Sequence, residues 1–162
     1  MSTNLRAQFD GRTVLVCDDT HLYSRIWLKR QSGMILTYQK DGDIWHEGIL
    51  IGQDEYGKWV VLHLSPRFGV PVFETLETFA QGKQVVRKAV SCSEPSAQIV
   101  ANAVLLFNEG RPYNLLSNNC QHFVDRACNC TRESWQVRGF FQGAGIMALA
   151  AFGVYVMASV GD

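Results

Sequence analysis

The sequence has no surplus of either charge. Fifteen lysines and arginines balance fifteen aspartates and glutamates. No block of like charge stands out, so nothing in it asks for nucleic acid. It has no internal repeat and no low-complexity linker. It has no C-x-x-C pair, Cys128-Asn129-Cys130 being the nearest approach. Its five cysteines are an odd number, and the opening MSTNLRAQFD holds no apolar signal core. Reduced thiols and a domain facing a cytosol-like compartment are therefore expected. Apolar residues are not scarce: 47% of the 162 residues are hydrophobic against 19% charged. That composition suits one domain with a real core and rules against a disordered chain.

One long segment lacks charge altogether. From Gly139 to Gly161, GFFQGAGIMALAAFGVYVMASVG contains no Asp, Glu, Lys or Arg. Its length is near the ~20 residues a helix needs to cross a bilayer. Arg132 and Arg138 precede it and only Asp162 follows. Inserted, it would act as a tail anchor with the folded domain on the cytoplasmic side. Its many small residues and Gln142 fit equally a helix or hairpin packed on the domain or in an oligomer.

The rest divides into residues 1–30, an N-terminal extension of mixed pattern, and residues 31–131, a patterned domain. In the extension only TVLVC (Thr13–Cys17) reads as a strand. From Gly33 onward, GMILTYQ (33–39), IWHEGILIG (44–52) and KWVVLHLS (58–65) read as strands. KDGD (40–43) reads as a turn, and QDEYG should close an antiparallel hairpin. PRFGVPVF reads as a loop, TLETFAQG (75–82) as a short helix, and KQVVRKAV (83–90) as a further strand. EPSAQIVANAVLLFNEG (94–110) has helical spacing, opened by Pro95 and ended by Gly110. A last helix should start near Ser117–Asn119 and run to about Cys128.

Two geometric expectations follow. If Gly52 and Gly57 close the hairpin opposite each other, His46 faces His63 across the strands, with Cβ atoms ~5 Å apart. A two-residue slip leaves both imidazoles on one face; a one-residue slip separates them. In the last helix, Cys120, Phe123, Val124, Ala127 and Cys128 form one apolar stripe. Cys120 therefore points at whatever the helix packs on. It also lies in the first turn, where the helix dipole favours a thiolate.

Taken singly, Cys120 reads as a packing residue and a strand histidine as a hydrogen-bonded one. Together they supply what cysteine nucleophilic catalysis needs: a thiol, an imidazole to take its proton, and a second group to hold that imidazole. Zinc is the competing chemistry for Cys120, His122, Cys128, Cys130, His46 and His63. Spacing argues against it, because Cys120 and His122 are about 200° apart around one helix. No metal or organic cofactor is expected.

IWHEGILIG, VVLHLSP and YNLLSNNCQHFV together resemble the LRAT-like (lecithin retinol acyltransferase, or NC) family. That family belongs to the circularly permuted, NlpC-type, papain-like superfamily. The resemblance covers about Gly33 to Cys128. It implies an α+β fold of about four to six antiparallel strands packed against the cysteine-bearing helix. It implies that Cys120 is the nucleophile, that His46 is the general base turned general acid, and that His63 orients and polarises His46. The backbone N–H of Cys120 becomes the oxyanion donor. Asn119 and His122 match the motif as a cap and a packing or hydrogen-bonding residue, and Tyr113 as a packing aromatic. Gln121 departs from the usual glutamate and is expected at an exposed helix position. The implied activity is acyl transfer or hydrolysis through a thioester, on an acyl lipid, with an amine, hydroxyl or water as acceptor. PPPDE-type cysteine isopeptidases share the H-x-G strand and the cysteine helix but generally lack a counterpart of His63. A non-catalytic, membrane-anchored interaction module on the same fold is the third reading.

Overall fold

The computed structural model describes residues 5–18, 21–42, 44–89, 92 and 94–130. Residues 139–161, read as a membrane anchor, lie outside this set. Among the described residues no helix is long and apolar enough to cross a membrane. The architecture is α+β, an open antiparallel sheet of eight strands with three helices.

In chain order the strands are β1 (Arg6–Phe9), β2 (Thr13–Cys17), β3 (Leu22–Trp27), β4 (Ile35–Asp41), β5 (Ile44–Gln53), β6 (Trp59–Leu64), β7 (Pro71–Thr75) and β8 (Val86–Arg87). The helices are α1 (Leu76–Ala80), α2 (Ser96–Glu109) and α3 (Cys120–Ala127). The main path through the sheet is β1-β2-β3-β5-β4-β8, and β6 pairs with both β5 and β7. The longest strand, β5, thus touches β3, β4 and β6 and carries His46 at its open end.

Three expectations need correction. Arg6–Phe9, Thr13–Cys17 and Leu22–Trp27 form three strands of the same sheet, joined to it through Trp27 and Gln53. They are no separate extension. Val14, Val16 and Ile26 bury their side chains in the main core, and Asn108 of α2 bonds both backbone groups of Ala7 at 2.8 Å. Gly52 permits the junction, because a Cβ there would lie 2.1 Å from the Trp27 carbonyl oxygen. The loop PRFGVPVF yields strand β7 from Pro71, a strand's first residue being a tolerated place for proline. The strand expected over 83–90 shrinks to Val86–Arg87.

The sheet buries both faces. On one, Ile35, Ile49, Ile51, Leu62 and Leu64 pack with Val100, Ala103, Val104 of α2 and Phe123, Val124, Ala127 of α3. On the other, Leu36, Tyr38, Leu50 and Val61 surround Phe79 of α1. A buried aliphatic side chain stabilises by about 1.5–3 kcal/mol, so the larger face is the main support of the fold.

Candidate active site

His46 and His63 share one face because of a bulge. At the tip of the hairpin Gly52 pairs with Val60 and Gln53 with Trp59; further in, Leu50 pairs with Val61 and Ile49 with Leu62. Ile51 is the extra residue. Extending the tip register past it would set Ile49 opposite His63 and send His46 to the other face. The hairpin closes over Asp54–Lys58 (Asp54 N to Lys58 O, 2.9 Å). The two histidines are consequently diagonal, two residues off the direct opposition expected.

Their side chains meet nonetheless. His46 Nε2 lies 2.8 Å from His63 Nδ1, with ring centroids 4.9 Å apart and planes at 88°. Tyr38 and Phe79 stack edgewise or tilted on His46 at 5.4 Å each, and Thr37 Oγ1 donates to the His46 carbonyl at 3.0 Å. Both rings are buried. Burial, then the neighbouring His63 and Lys40, lowers the His46 pKa to about 3. Burial alone lowers that of His63 to about 4. Both imidazoles are therefore neutral near pH 7, and a neutral imidazole can accept a proton.

Gly48, two residues after His46, explains the H-x-G spacing physically. A Cβ there would lie 2.6 Å from Val61 Cγ1, 3.0 Å from the Phe79 ring and 3.1 Å from His63 Cβ. Any side chain would push on the two groups that hold the imidazole pair.

The cysteine arrives on α3. Asn119 is its N-cap: its Oδ1 accepts from the N–H groups of Gln121 (3.0 Å) and His122 (3.2 Å). His122 Nδ1 in turn accepts from Asn119 N at 3.3 Å, completing a capping box. Of the packing and hydrogen-bonding roles open to His122, the structure shows the second, as a partner in the cap. Asn119 Nδ2 also holds the Leu115 carbonyl at 2.8 Å, fixing the loop that leads into the helix. Of the apolar stripe, Phe123, Val124, Ala127 and Cys128 pack in the larger core cluster, and Cys120 is fully buried beside it. Its sulfur lies 3.9 Å from the carbonyl oxygen of Trp45, the residue before His46. A charge on Cys120 also contributes, after burial, to raising Tyr38 to about 12 and Tyr113 above its ordinary value. Tyr38 belongs to the histidine face, so the thiol is within electrostatic reach of that face.

Gln121 is not exposed: it is buried, and its Nε2 donates to Glu47 Oε1 at 3.2 Å. Glu47, the middle residue of H-E-G, is fully buried and also binds the Lys88 ammonium. A glutamate at 121 would put a second carboxylate beside the first; the amide supplies a donor. The contact pins the first turn of α3 to β5.

Glu74 escaped the sequence reading. Its Oε2 lies 2.9 Å from His63 Nε2. In β7, Val72 pairs with His63 and Glu74 with Val61, which puts Glu74 on the histidine face. No local signal marks it, since β7 reads as a loop until it is paired. Burial raises the Glu74 pKa and Arg67 opposes the rise. Among the described residues no three His, Cys, Asp or Glu side chains are grouped to hold a metal ion, and no disulfide links any of the five cysteines.

A protein-family model described as lecithin retinol acyltransferase matches residues 44–133, more than half of the chain. No curated protein and no solved structure matches the sequence.

Proposed function

The chain belongs to the lecithin retinol acyltransferase family, and on that premise we propose that it is a cysteine acyltransferase or hydrolase working through a thioester. The observation that carries the proposal is the hydrogen-bonded pair of neutral histidines beside the strand residue whose carbonyl the Cys120 sulfur approaches.

With Nε2 of His46 engaged by His63, Nδ1 is the ring nitrogen left for the thiol. It takes the Cys120 proton, and the thiolate attacks an acyl carbonyl to form a tetrahedral oxyanion. The N–H of Cys120, at the positive end of α3, is the donor proposed for that oxyanion. On collapse the C–O bond of the ester breaks, the leaving oxygen takes the proton from His46, and the acyl group remains on sulfur. Water, an amine or a hydroxyl then gives a proton to His46, attacks the thioester and releases the thiolate, which recovers its proton.

A lipid ester is the acyl donor we propose. Trp45, Leu115 and Leu116, each next to or hydrogen-bonded into the Cys120 region, are exposed apolar side chains that suit an acyl chain. Residues 139–161 would hold such a site at a bilayer, with the domain on its cytoplasmic side. A permuted NlpC-type ancestry is part of the same reading. One observation favours a non-catalytic interaction module instead: Cys120 is fully buried. Incubating the full chain with a labelled phospholipid and with a peptide library, then trapping the acyl-enzyme, separates the readings. A label on Cys120 from the lipid supports the proposal, transfer from peptides alone supports a peptidase, and no label from either supports the module.

A further inference from the structure

We infer that Glu74 is a positioning residue for this chemistry: its carboxylate fixes which nitrogen of each histidine carries the proton, and so which atom His46 turns to Cys120. The inference rests on the proposed role of Cys120 and His46.

An ionised carboxylate can only accept a hydrogen bond. At 2.9 Å from Glu74 Oε2, His63 Nε2 must then carry its ring's proton and donate it. That leaves His63 Nδ1 as an acceptor. His46 Nε2, 2.8 Å away, is therefore the donor of the second bond and carries the proton of its own ring. Nδ1 of His46 is left with a lone pair. Three residues on β5, β6 and β7 form one directed chain, and its direction is set at Glu74. Because both rings are neutral near pH 7, each has one proton to place.

Protonating Glu74 reverses the chain. A carboxylic acid would donate to His63 Nε2, the His63 proton would sit on Nδ1 and donate to His46 Nε2, and the His46 proton would sit on Nδ1. Each ring still holds one proton, but the atom offered to the thiol is then a donor and no base. The charged and titratable groups that act on Glu74 or feel its charge are His63 from β6, Arg67 from the loop after β6, and Tyr38 from β4. Burial holds His63 down to about 4 and Tyr38 is raised to about 12, while burial raises Glu74, so as the pH falls Glu74 is the member of the set that takes up a proton first.

The test uses the full chain and two readouts that need no substrate. One is the rate of Cys120 alkylation by iodoacetamide against pH, followed by mass spectrometry of its peptide. The other is the long-range proton–nitrogen NMR pattern of the His46 and His63 rings. The wild type should show both rings protonated at Nε2 near pH 7. Glu74→Leu, similar in shape and lacking the acceptor, should mix the ring forms and slow alkylation by about tenfold or more. Glu74→Gln keeps an acceptor oxygen and should restore most of the rate while moving the acid limb of the profile to lower pH. Unchanged ring protons and an unchanged rate in Glu74→Leu overturn the inference. Should that variant not fold, an acid limb left in place in Glu74→Gln overturns it equally. Wild-type protein that fails to turn over p-nitrophenyl butyrate, yet shows ring protons governed by Glu74, sinks the acyl-transfer reading and leaves this one standing.

Discussion

His63 lies between two partners, Nδ1 at 2.8 Å from His46 Nε2 and Nε2 at 2.9 Å from Glu74 Oε2. Its two ring nitrogens are both engaged, so its orientation is determined from both sides. It is a connector, and the proposed mechanism uses the second nitrogen of His46.

Cys120→Ala and Cys120→Ser should each abolish acyl-enzyme formation and leave the fold intact. The side chain is fully buried, but it is small, so each change should cost no more than about 0.5–3 kcal/mol, the usual range for a point substitution, within the several kcal/mol that hold a domain together. Mass spectrometry after incubation with labelled phospholipid reads the first claim and urea unfolding the second. Residual labelling at the wild-type rate would remove Cys120 from the mechanism.

Stability should depend on pH through the two histidines. Their folded-state values, about 3 and about 4, lie below the ordinary 6.5. Between those limits the unfolded chain binds protons that the native chain refuses. Stability is therefore full above pH 6.5 and falls as the pH drops toward 4. Glu74, raised on folding, opposes this with the reverse sign at the acid end. Urea titrations from pH 7.5 to 4.5 check it, and His63→Gln should flatten the slope. A level wild-type profile would contradict the burial of the pair.

Gly48→Ala should destabilise by about 1–3 kcal/mol, the usual cost of overpacking, and slow Cys120 alkylation. The added methyl meets Val61, Phe79 and His63, which cannot all retreat from between sheet and α1. A variant as stable and as reactive as wild type would show that the glycine is dispensable.

Gln121→Glu should destabilise at neutral pH by about 1–3 kcal/mol, because it replaces a buried donor with a second acceptor beside Glu47. Adding Glu47→Gln should restore most of the loss by exchanging the two roles, with Lys88 still able to reach a carboxylate. A double-mutant cycle measures the coupling. Additive losses would mean that the two side chains do not act on each other.

Local chemistry was legible in the sequence where short-range signals act alone. Ser117, Asn118 and Asn119, all capping types before an apolar stripe, announce a helix start near them, and α3 begins at Cys120 with Asn119 as its cap. IWHEGILIG (44–52) and KWVVLHLS (58–65) read as a hairpin, and Ile44–Gln53 and Trp59–Leu64 form one. The shared face of His46 and His63 was legible only by good fortune in the choice of register. It depends on the bulge at Ile51, which no residue type announces, because an aliphatic residue suits a regular strand as well as a bulged one.

What the sequence alone determined, then, is the set of residues and their local setting: a cysteine opening a helix, two histidines on a hairpin, and the motif order that marks the family. What the tertiary structure decided is how they join. Glu74 reaches His63 only once β7 pairs with β6, Gln121 becomes buried only once α3 lies on β5, and β1, β2 and β3 join the rest of the sheet where Trp27 pairs with Gln53. Each is a contact between segments distant along the chain. Local propensity carries no information about which edge a strand will find or what a helix face will cover.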